Sequence, residues 1–522
     1  MTPTVVPDAA ELERRHATVG RIDVHVQNIF DLDDPREDHL LYRAANHLRF
    51  STRASVVRSQ LLFGSGDAFS ARSLAETERI LRSRRYLNDA WVVPVAYDEA
   101  SNVVDVAVTV RDVWTLNPGV SLGRSGGRNR SKVQIEESNL FGRGSKITLS
   151  RSRDVDRIST ELSYAEPSVR GSWWQLGLEY ADNSDGRVRS LSIVRPFYAL
   201  DTRYAVGATG YDGASRVARY SSGQIADQFN ERHRLDQAYY GWSDGLIEGV
   251  TRRWFAGLRY DQAQFTPTPG VAPPTTLPAD RQLAYPWVGW QLTEDRYQKS
   301  ENVDLIGRTE DLYLGRTLYA ELGYSNTAFG GRGRSFIANL NALNGWQVGE
   351  RQQLFVSAAL GARVDEGVAS NVQLTAAARY FAYLSHSRVF YASLAGATTR
   401  RLDGDQQLLL GGDSGLRGYP IRFQGGSSSA LLTLEERVFT PWFPLRLVRV
   451  GAAVFFDAGR TWGRDYLGAQ PLGLLKDVGI GLRLGNNRSG LGNVLHIDLS
   501  YALDAPPGIK RLQISFETKD RF

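Results

Sequence analysis

From about residue 115 to the C terminus, apolar residues fall on every second position in short runs separated by Gly, Asn, Asp and Ser. Trp174, Leu176, Leu178 and Tyr180 form one such run. In another, Trp254, Ala256, Leu258 and Tyr260 alternate with a polar face that carries Arg253, Arg259 and Asp261. Leu354, Val356, Ala358, Leu360 and Ala362 repeat the pattern, as do Val372, Leu374, Ala376, Ala378 and Tyr380. A period of two is the period of the β-strand, so this region is expected to be a succession of strands, each with one greasy and one polar face. About eighteen runs can be marked off, give or take two. The region before it has a different texture. Arg21 to Val26 and Val103 to Val110 alternate like strands, and Trp91 to Val95 gives a third between them. Thr52 and Ser70 stand where they could cap two helices, the first bearing Val56, Val57 and Leu61 and the second Leu74, Ile80 and Leu81. The order strand, helix, helix, strand, strand predicts a small α+β module over residues 21–113, with 1–20 as an extension and 114–522 as the strand-rich domain.

Alternation alone fits either a soluble sandwich or a membrane barrel. Roughly 400 residues of consecutive strands exceed an ordinary sandwich, and Tyr285, Trp287 and Trp290 sit near run ends, where a membrane girdle would place aromatics. The last run, from Leu512 to Phe522, ends on an aromatic, as a closing barrel strand would. A mean hydropathy of -0.32 is no objection, because alternating faces average out. No window of about 18 apolar residues exists, which rules out a transmembrane helix. The 62 basic and 57 acidic residues leave a formal charge of +5 without a basic block, so a nucleic-acid partner is not expected. The absence of cysteine excludes disulfides, thiolate metal sites and cysteine nucleophiles, and suits an oxidising compartment. The seven histidines show no metal-ligand spacing, so neither a metal nor a cofactor is expected. The opening Met1-Thr2-Pro3-Thr4 lacks an export signal, which is expected to lie upstream or to have been removed.

The chemistry concentrates in Leu410-Gly411-Gly412-Asp413-Ser414-Gly415-Leu416-Arg417-Gly418-Tyr419-Pro420, where one arginine stands among small, flexible residues. About forty residues on, Phe455-Phe456-Asp457-Ala458-Gly459 puts a carboxylate in an apolar strand, where it would be costly without a partner. Strand parity gives Asp457 the face of Arg449, Gly451 and Ala453, away from Val450, Ala452, Val454 and Phe456. By the same count Glu435 shares a face with Thr433 and Arg437, and Glu436 falls towards the rim. A guanidinium can hold such carboxylates bidentately, so a loop folded into a barrel and clipped by Arg417 to Asp457 and Glu435 is expected. Gly412-Asp413-Ser414-Gly415 is similar to the nucleophile turn of trypsin-like proteases, but a triad needs two further placed groups and none is in evidence. No catalytic residue and no enzymatic activity are expected.

These motifs resemble the outer-membrane assembly and secretion superfamily that includes BamA, TamA and the two-partner secretion transporters. Gly412, Leu416, Arg417, Gly418 and Tyr419 resemble its sixth extracellular loop, Phe456-Asp457-Ala458-Gly459 with Trp462 its receiving strand, and Leu434-Glu435-Glu436-Arg437 the acidic strand before it. The N-terminal module resembles one periplasmic POTRA domain, with Leu61 to Phe69 as the helix-linking turn and Glu76 to Leu87 as the second helix and exit. The resemblance implies an all-β transmembrane barrel of 16 antiparallel strands, behind that module, in a bacterial outer membrane. It also implies a role in inserting β-barrel proteins or translocating polypeptides. Unfolded outer-membrane or secreted polypeptides, membrane lipid and accessory periplasmic or lipoprotein factors would be the partners. A dedicated two-partner-type secretion pore and a passive diffusion porin are the alternatives. A seam between the first and last strands, marked by Pro118, Gly119 and Gly123 on one side and Phe516 and Phe522 on the other, is expected to be the weakest joint.

Overall fold

The computed structural model describes residues 6–465, 467–468, 471–486, 488–489 and 494–519. The N-terminal module consists of α1 (Ala9–Arg14), β1 (Thr18–Gln27), α2 (Leu40–Leu48), α3 (Ala54–Arg58), α4 (Ala71–Arg82), β2 (Leu87–Asp98) and β3 (Val103–Asp112). Central β3 pairs in parallel with β1 and antiparallel with β2. Every second residue of β3 (Val104, Val106, Val108 and Val110) is fully buried, in one core with Leu74 and Leu81 of α4. Ser70 caps α4 by accepting from the Ser73 amide at 3.3 Å, as its position suggested. Thr52 does something else. Its amide and hydroxyl donate to the buried Asp112 at 3.1 and 2.6 Å, and α3 starts without a side-chain cap. The segment 1–20 is not merely an extension: Asp8 caps α1, Leu12 is fully buried in the module core, and β1 begins at Thr18. A helix of six residues is too short to show a helical period, which is why the sequence did not mark α1.

Beyond the module the chain forms one closed antiparallel barrel. Its first ten strands are β4 (Leu116–Ser125), β5 (Arg128–Leu140), β6 (Ser145–Arg153), β7 (Ile158–Glu166), β8 (Gln175–Asn183), β9 (Gly186–Arg195), β10 (Tyr204–Ser221), β11 (Gln224–Ile247), β12 (Val250–Pro267) and β13 (Arg281–Glu294). A separate hairpin, β14 (Tyr297–Glu301) and β15 (Thr309–Tyr313), interrupts the wall. The wall resumes with β16 (Arg316–Ser325), β17 (Ser335–Gly349), β18 (Gln352–Asp365), β19 (Val368–Ser385) and β20 (Arg388–Arg400). A second two-stranded insert, β21 (Leu408–Leu410) and β22 (Gln424–Gly426), lies in the long loop that follows. The last five strands are β23 (Ser428–Phe439), β24 (Val448–Trp462), β25 (Leu475–Asn486), β26 (Val494–Ala502) and β27 (Leu512–Lys519).

The described residues therefore build a wall of 20 strands, not 16. Only the two short inserts behave as hairpin arms outside the wall; every other run joins it, including the 9- and 10-residue strands β7, β8 and β9. Side chains such as Leu258, Val288, Leu322, Leu340, Leu394, Val454 and Ile480 stand exposed on the outside of β12, β13, β16, β17, β20, β24 and β25. A greasy belt of this extent is the outer surface of a membrane barrel, whose interior carries the polar face. Two aromatics expected in the girdle lie inside instead. Tyr285 and Trp287 are buried, with the Tyr285 hydroxyl accepting from Arg259 at 3.1 Å, because odd and even positions of β13 cannot share a face and only Trp290 has outward parity. Trp242, Trp254, Trp346 and Trp462 are exposed on the outside instead.

Candidate functional site

The loop 401–427 between β20 and β23 enters the barrel from the mouth opposite the N-terminal module. Strand parity puts Asp457 on the inner face of β24, where alternate residues from Gly451 to Thr461 are buried, and Glu435 on the inner face of β23. Arg417 at the loop tip reaches both. Its Nε and Nη2 donate to the two carboxylate oxygens of Asp457 at 2.7 and 3.1 Å, and its Nη1 donates to Glu435 at 3.1 Å. All three side chains are buried. The guanidinium also lies 3.3 Å above the centre of the Phe455 ring, and Thr433 donates a further hydrogen bond to Asp457 at 2.8 Å. A two-point grip with a ring beneath uses the planar, permanently charged guanidinium in a way an ammonium cannot match. Glu436 faces the other way and pairs with exposed Arg388.

The other loop-motif residues make this approach possible. Leu416 and Tyr419 are fully buried with Leu410, Phe423 and Leu475, and the Tyr419 hydroxyl donates to the Lys476 carbonyl at 2.9 Å. Gly418 lies flat on β25: a Cβ there would come within 2.7 Å of the Asp477 Cβ, so no larger residue fits the docked loop. At Gly412 a Cβ would meet the Tyr419 carbonyl oxygen at 2.3 Å. The stem is anchored as well, by Asp403 to Arg363 at 2.7 Å, Asp405 to Arg281 at 2.8 Å and Arg422 to Asp156 at 2.7 Å. The Ser414 hydroxyl exchanges hydrogen bonds with the Gly411 backbone.

The buried cluster is larger than the sequence indicated. Arg437 donates to Glu435 at 3.3 Å, Arg483 lies 3.5 Å from Glu435 and also pairs with Asp498, and Asp477 is the register partner of Asp457 on β25. Inward parity on β25 and β26 could have revealed Arg483 and Asp498, since both stand among alternating outward Ile, Leu and Val residues. The hairpin of β14 and β15 gave no such signal. It rises from the module-side mouth, with Val303 and Ile306 buried against Phe355, Phe381 and Phe439. Its base is tied to α4 through Arg82, which grips Asp311 at 2.6 and 2.8 Å, and through Arg79 stacked 4.1 Å from the Tyr297 ring. Its tip is tied to the wall, the Val303 carbonyl accepting from Arg437 at 3.3 Å and Asp304 pairing with Arg379 at 3.1 Å. Arg437 therefore touches both the hairpin tip and the carboxylate that holds the loop.

At the seam the contrast between neighbours is large. β4 pairs with β5 over ten consecutive positions and β26 with β27 over eight, whereas among the described residues β27 meets β4 at one register pair, Phe516 with Arg124. Gly123 abuts that pair, a Cβ there lying 3.5 Å from the Phe516 carbonyl oxygen, and Pro118 and Gly119 lie further along β4, opposite Ile135 and Gln134 of β5. Phe522 lies outside the described residues.

No protein-family model and no curated protein matches this sequence. Among solved structures, CdiB from Escherichia coli matches at 12% identity over 97% of this chain and 77% of its own, with a TM-score of 0.50. CdiB from Acinetobacter baumannii aligns at 14% identity over 97% and 74%, TM-score 0.47. BamA from Haemophilus ducreyi lacking POTRA domains 1-3 aligns at 12% over 96% and 84%, TM-score 0.39. At such identity the likeness to Escherichia coli CdiB is one of fold: a β-barrel that this chain follows over nearly its whole length.

Proposed function

We propose that this protein resides in a bacterial outer membrane, with its N-terminal module acting as a POTRA domain in the periplasm, and assists the insertion of β-barrel proteins by lending them a strand edge. The observation that carries this reading is that, among the described residues, the barrel closes through the single register pair Phe516 and Arg124. The remaining backbone groups of β4 and β27 that face across the seam form an edge able to pair with an incoming strand, and among the described residues no other joint of the barrel offers one. The lumen is a poor route by comparison, being occupied by the latched loop from one mouth and by the β14–β15 hairpin from the other. The module supplies a second pairing surface at edge strand β2, where Trp91, Val93 and Val95 are exposed. No step requires a nucleophile, a metal or a cofactor.

The test uses the cysteine-free background. Single cysteines along 118–124 and 512–519, crosslinked in cells, should capture a nascent outer-membrane protein. Capture of one secreted partner at lumenal positions instead would favour the secretion pore, and capture of nothing would favour a passive pore.

A further inference from the structure

We infer that α2 is a membrane-surface helix that lies in the headgroup region of the bilayer leaflet facing the module, as a sill beneath the seam. The inference rests on the barrel being embedded in lipid and adds a lipid-binding surface on the module.

The helix is amphipathic in an unusual sense. Tyr42 and Ala45 pack with Ile29, Phe30, Trp114 and Leu447, while Arg43 and His47 share a polar flank. Leu40, Leu41 and Leu48 belong to neither side: they project into solvent, 86%, 62% and 72% exposed. At 100° per residue these three, with Ala44 between them, fill one contiguous arc. Three leucines on one short helix, all presented to water, form a face that needs a cover.

Position identifies the cover. One end of α2 is fixed where the Tyr42 hydroxyl donates to the Leu445 carbonyl at 2.6 Å, in the turn between β23 and β24. Just past the other end, Phe50 packs edge to face on Phe141 of the β5–β6 turn, ring centres 5.6 Å apart. The strands between those two turns include β27 and β4, so α2 runs along the module-side ends of the seam strands. Trp114, against which α2 packs, precedes by two residues the exposed Leu116 that begins the outward column of β4, a rise of about 7 Å. Trp442 and Leu445 in one anchoring turn and Phe141 in the other are themselves exposed. The leucine arc thus lies at the level where the outward column of β4 begins, and a short apolar face flanked by Arg43 and His47 at that level suits the acyl–headgroup boundary of a phospholipid layer.

The experiment places single cysteines at Leu41, Leu48, Arg43 and Val454 of the full chain, each labelled with NBD and reconstituted in phosphatidylethanolamine/phosphatidylglycerol vesicles. None of the four side chains is buried in the protein core, and heat-modifiable migration verifies folding for each variant. Nitroxides attached high on the lipid acyl chain should quench the labels at 41 and 48 at least twofold more than the label at 43, with the blue-shifted emission of an apolar site. Val454, on the outer wall of β24, reports barrel embedding independently. Quenching at 454 with 41 and 48 behaving like 43 overturns the inference alone, whereas no quenching at 454 overturns the membrane reading of the barrel. Protection of 41 and 48 from aqueous iodide that ignores lipid nitroxide and disappears on dilution would assign the face to a second copy, and also overturns it.

Discussion

Removing the loop arginine isolates the latch from the barrel that carries it. Arg417→Ala deletes three charge-assisted hydrogen bonds, two to Asp457 and one to Glu435. Glu435 keeps Arg437 and Arg483, so the loss falls mainly on fully buried Asp457, which retains the Thr433 hydroxyl. Breaking a buried pair by removing one partner costs about 3–5 kcal/mol; the surviving partners place this case near the lower end, about 3 kcal/mol, or roughly a hundredfold in the equilibrium between docked and released loop. None of that energy belongs to the strand ladder, so the barrel should still show heat-modifiable migration. The reporter is Leu416→Cys, a fully buried position in a chain without other cysteines. In that background Arg417→Ala should accelerate maleimide labelling about a hundredfold, Arg417→Lys by less, and polypeptide insertion should fall in the same order. The double variant Arg417→Ala/Asp457→Ala should cost less than the sum of the singles, since it leaves no orphaned carboxylate there. Labelling within about threefold of the Leu416→Cys parent would show that the ion pair does not hold the loop.

Gly418→Ala should release the loop as Arg417→Ala does, because its Cβ would stand 2.7 Å from the Asp477 Cβ; an unchanged labelling rate in the Leu416→Cys background would refute the close fit. In the module-side hairpin, burial pushes the Glu310 carboxyl up to about 7 from 4.5. Its contribution to docking is then complete below about pH 4.5 and is lost as pH rises through about 7, up to about 3 kcal/mol in all. Relative to an exposed reference cysteine, which takes up the ordinary rise of thiolate with pH, a cysteine introduced by Ile306→Cys should therefore gain labelling rate between pH 5 and pH 8, and Glu310→Gln should remove that excess; no excess in the parent would refute the assignment. A disulfide between Arg124→Cys and Phe516→Cys should leave the barrel folded yet abolish substrate capture, with recovery on reduction; capture by the oxidised form would exclude the seam as the route.

The sequence revealed the latch more fully than the barrel around it, for a physical reason. Parity puts Asp457 and Glu435 on one face of neighbouring strands, and the cost of burying a lone carboxylate calls for a cation such as Arg417 on the loop. Strand number has no comparable local mark. The 9-residue strands β7 and β8 read no differently from loop hairpins such as β14–β15, and only barrel closure separates wall from insert. Parity also corrected the girdle: Tyr285 and Trp287 cannot share a face with Trp290. Thr52 had the chemistry of a helix cap but a stronger partner in buried Asp112, a contact 60 residues away that no local pattern contains. The hairpin plug was hidden for the same reason, since Val303 and Ile306 become core only against rings from β18, β19 and β23.

The two plugs constrain how a polypeptide could pass. Emptying the lumen from the far mouth means breaking the Arg417 grip and the stem pairs at Asp403, Asp405 and Asp156. Emptying it from the module side means withdrawing a hairpin tied to α4 by Arg82 and Asp311 and to the wall by Arg437. The first costs the buried Arg417 grip and three half-buried stem pairs, the second the Arg82–Asp311 pair and the Arg437 hydrogen bond, and a buried pair is expensive to break singly. Opening the seam costs the hydrogen bonds of one register pair among the described residues, about 1 kcal/mol each net. An incoming strand would satisfy the groups so released, and in lipid that gain exceeds its value in water. Under the proposed function the plugs and the weak seam are complementary: with the lumen filled from both mouths, the joint with the fewest register pairs among the described residues is the least costly place to add a strand.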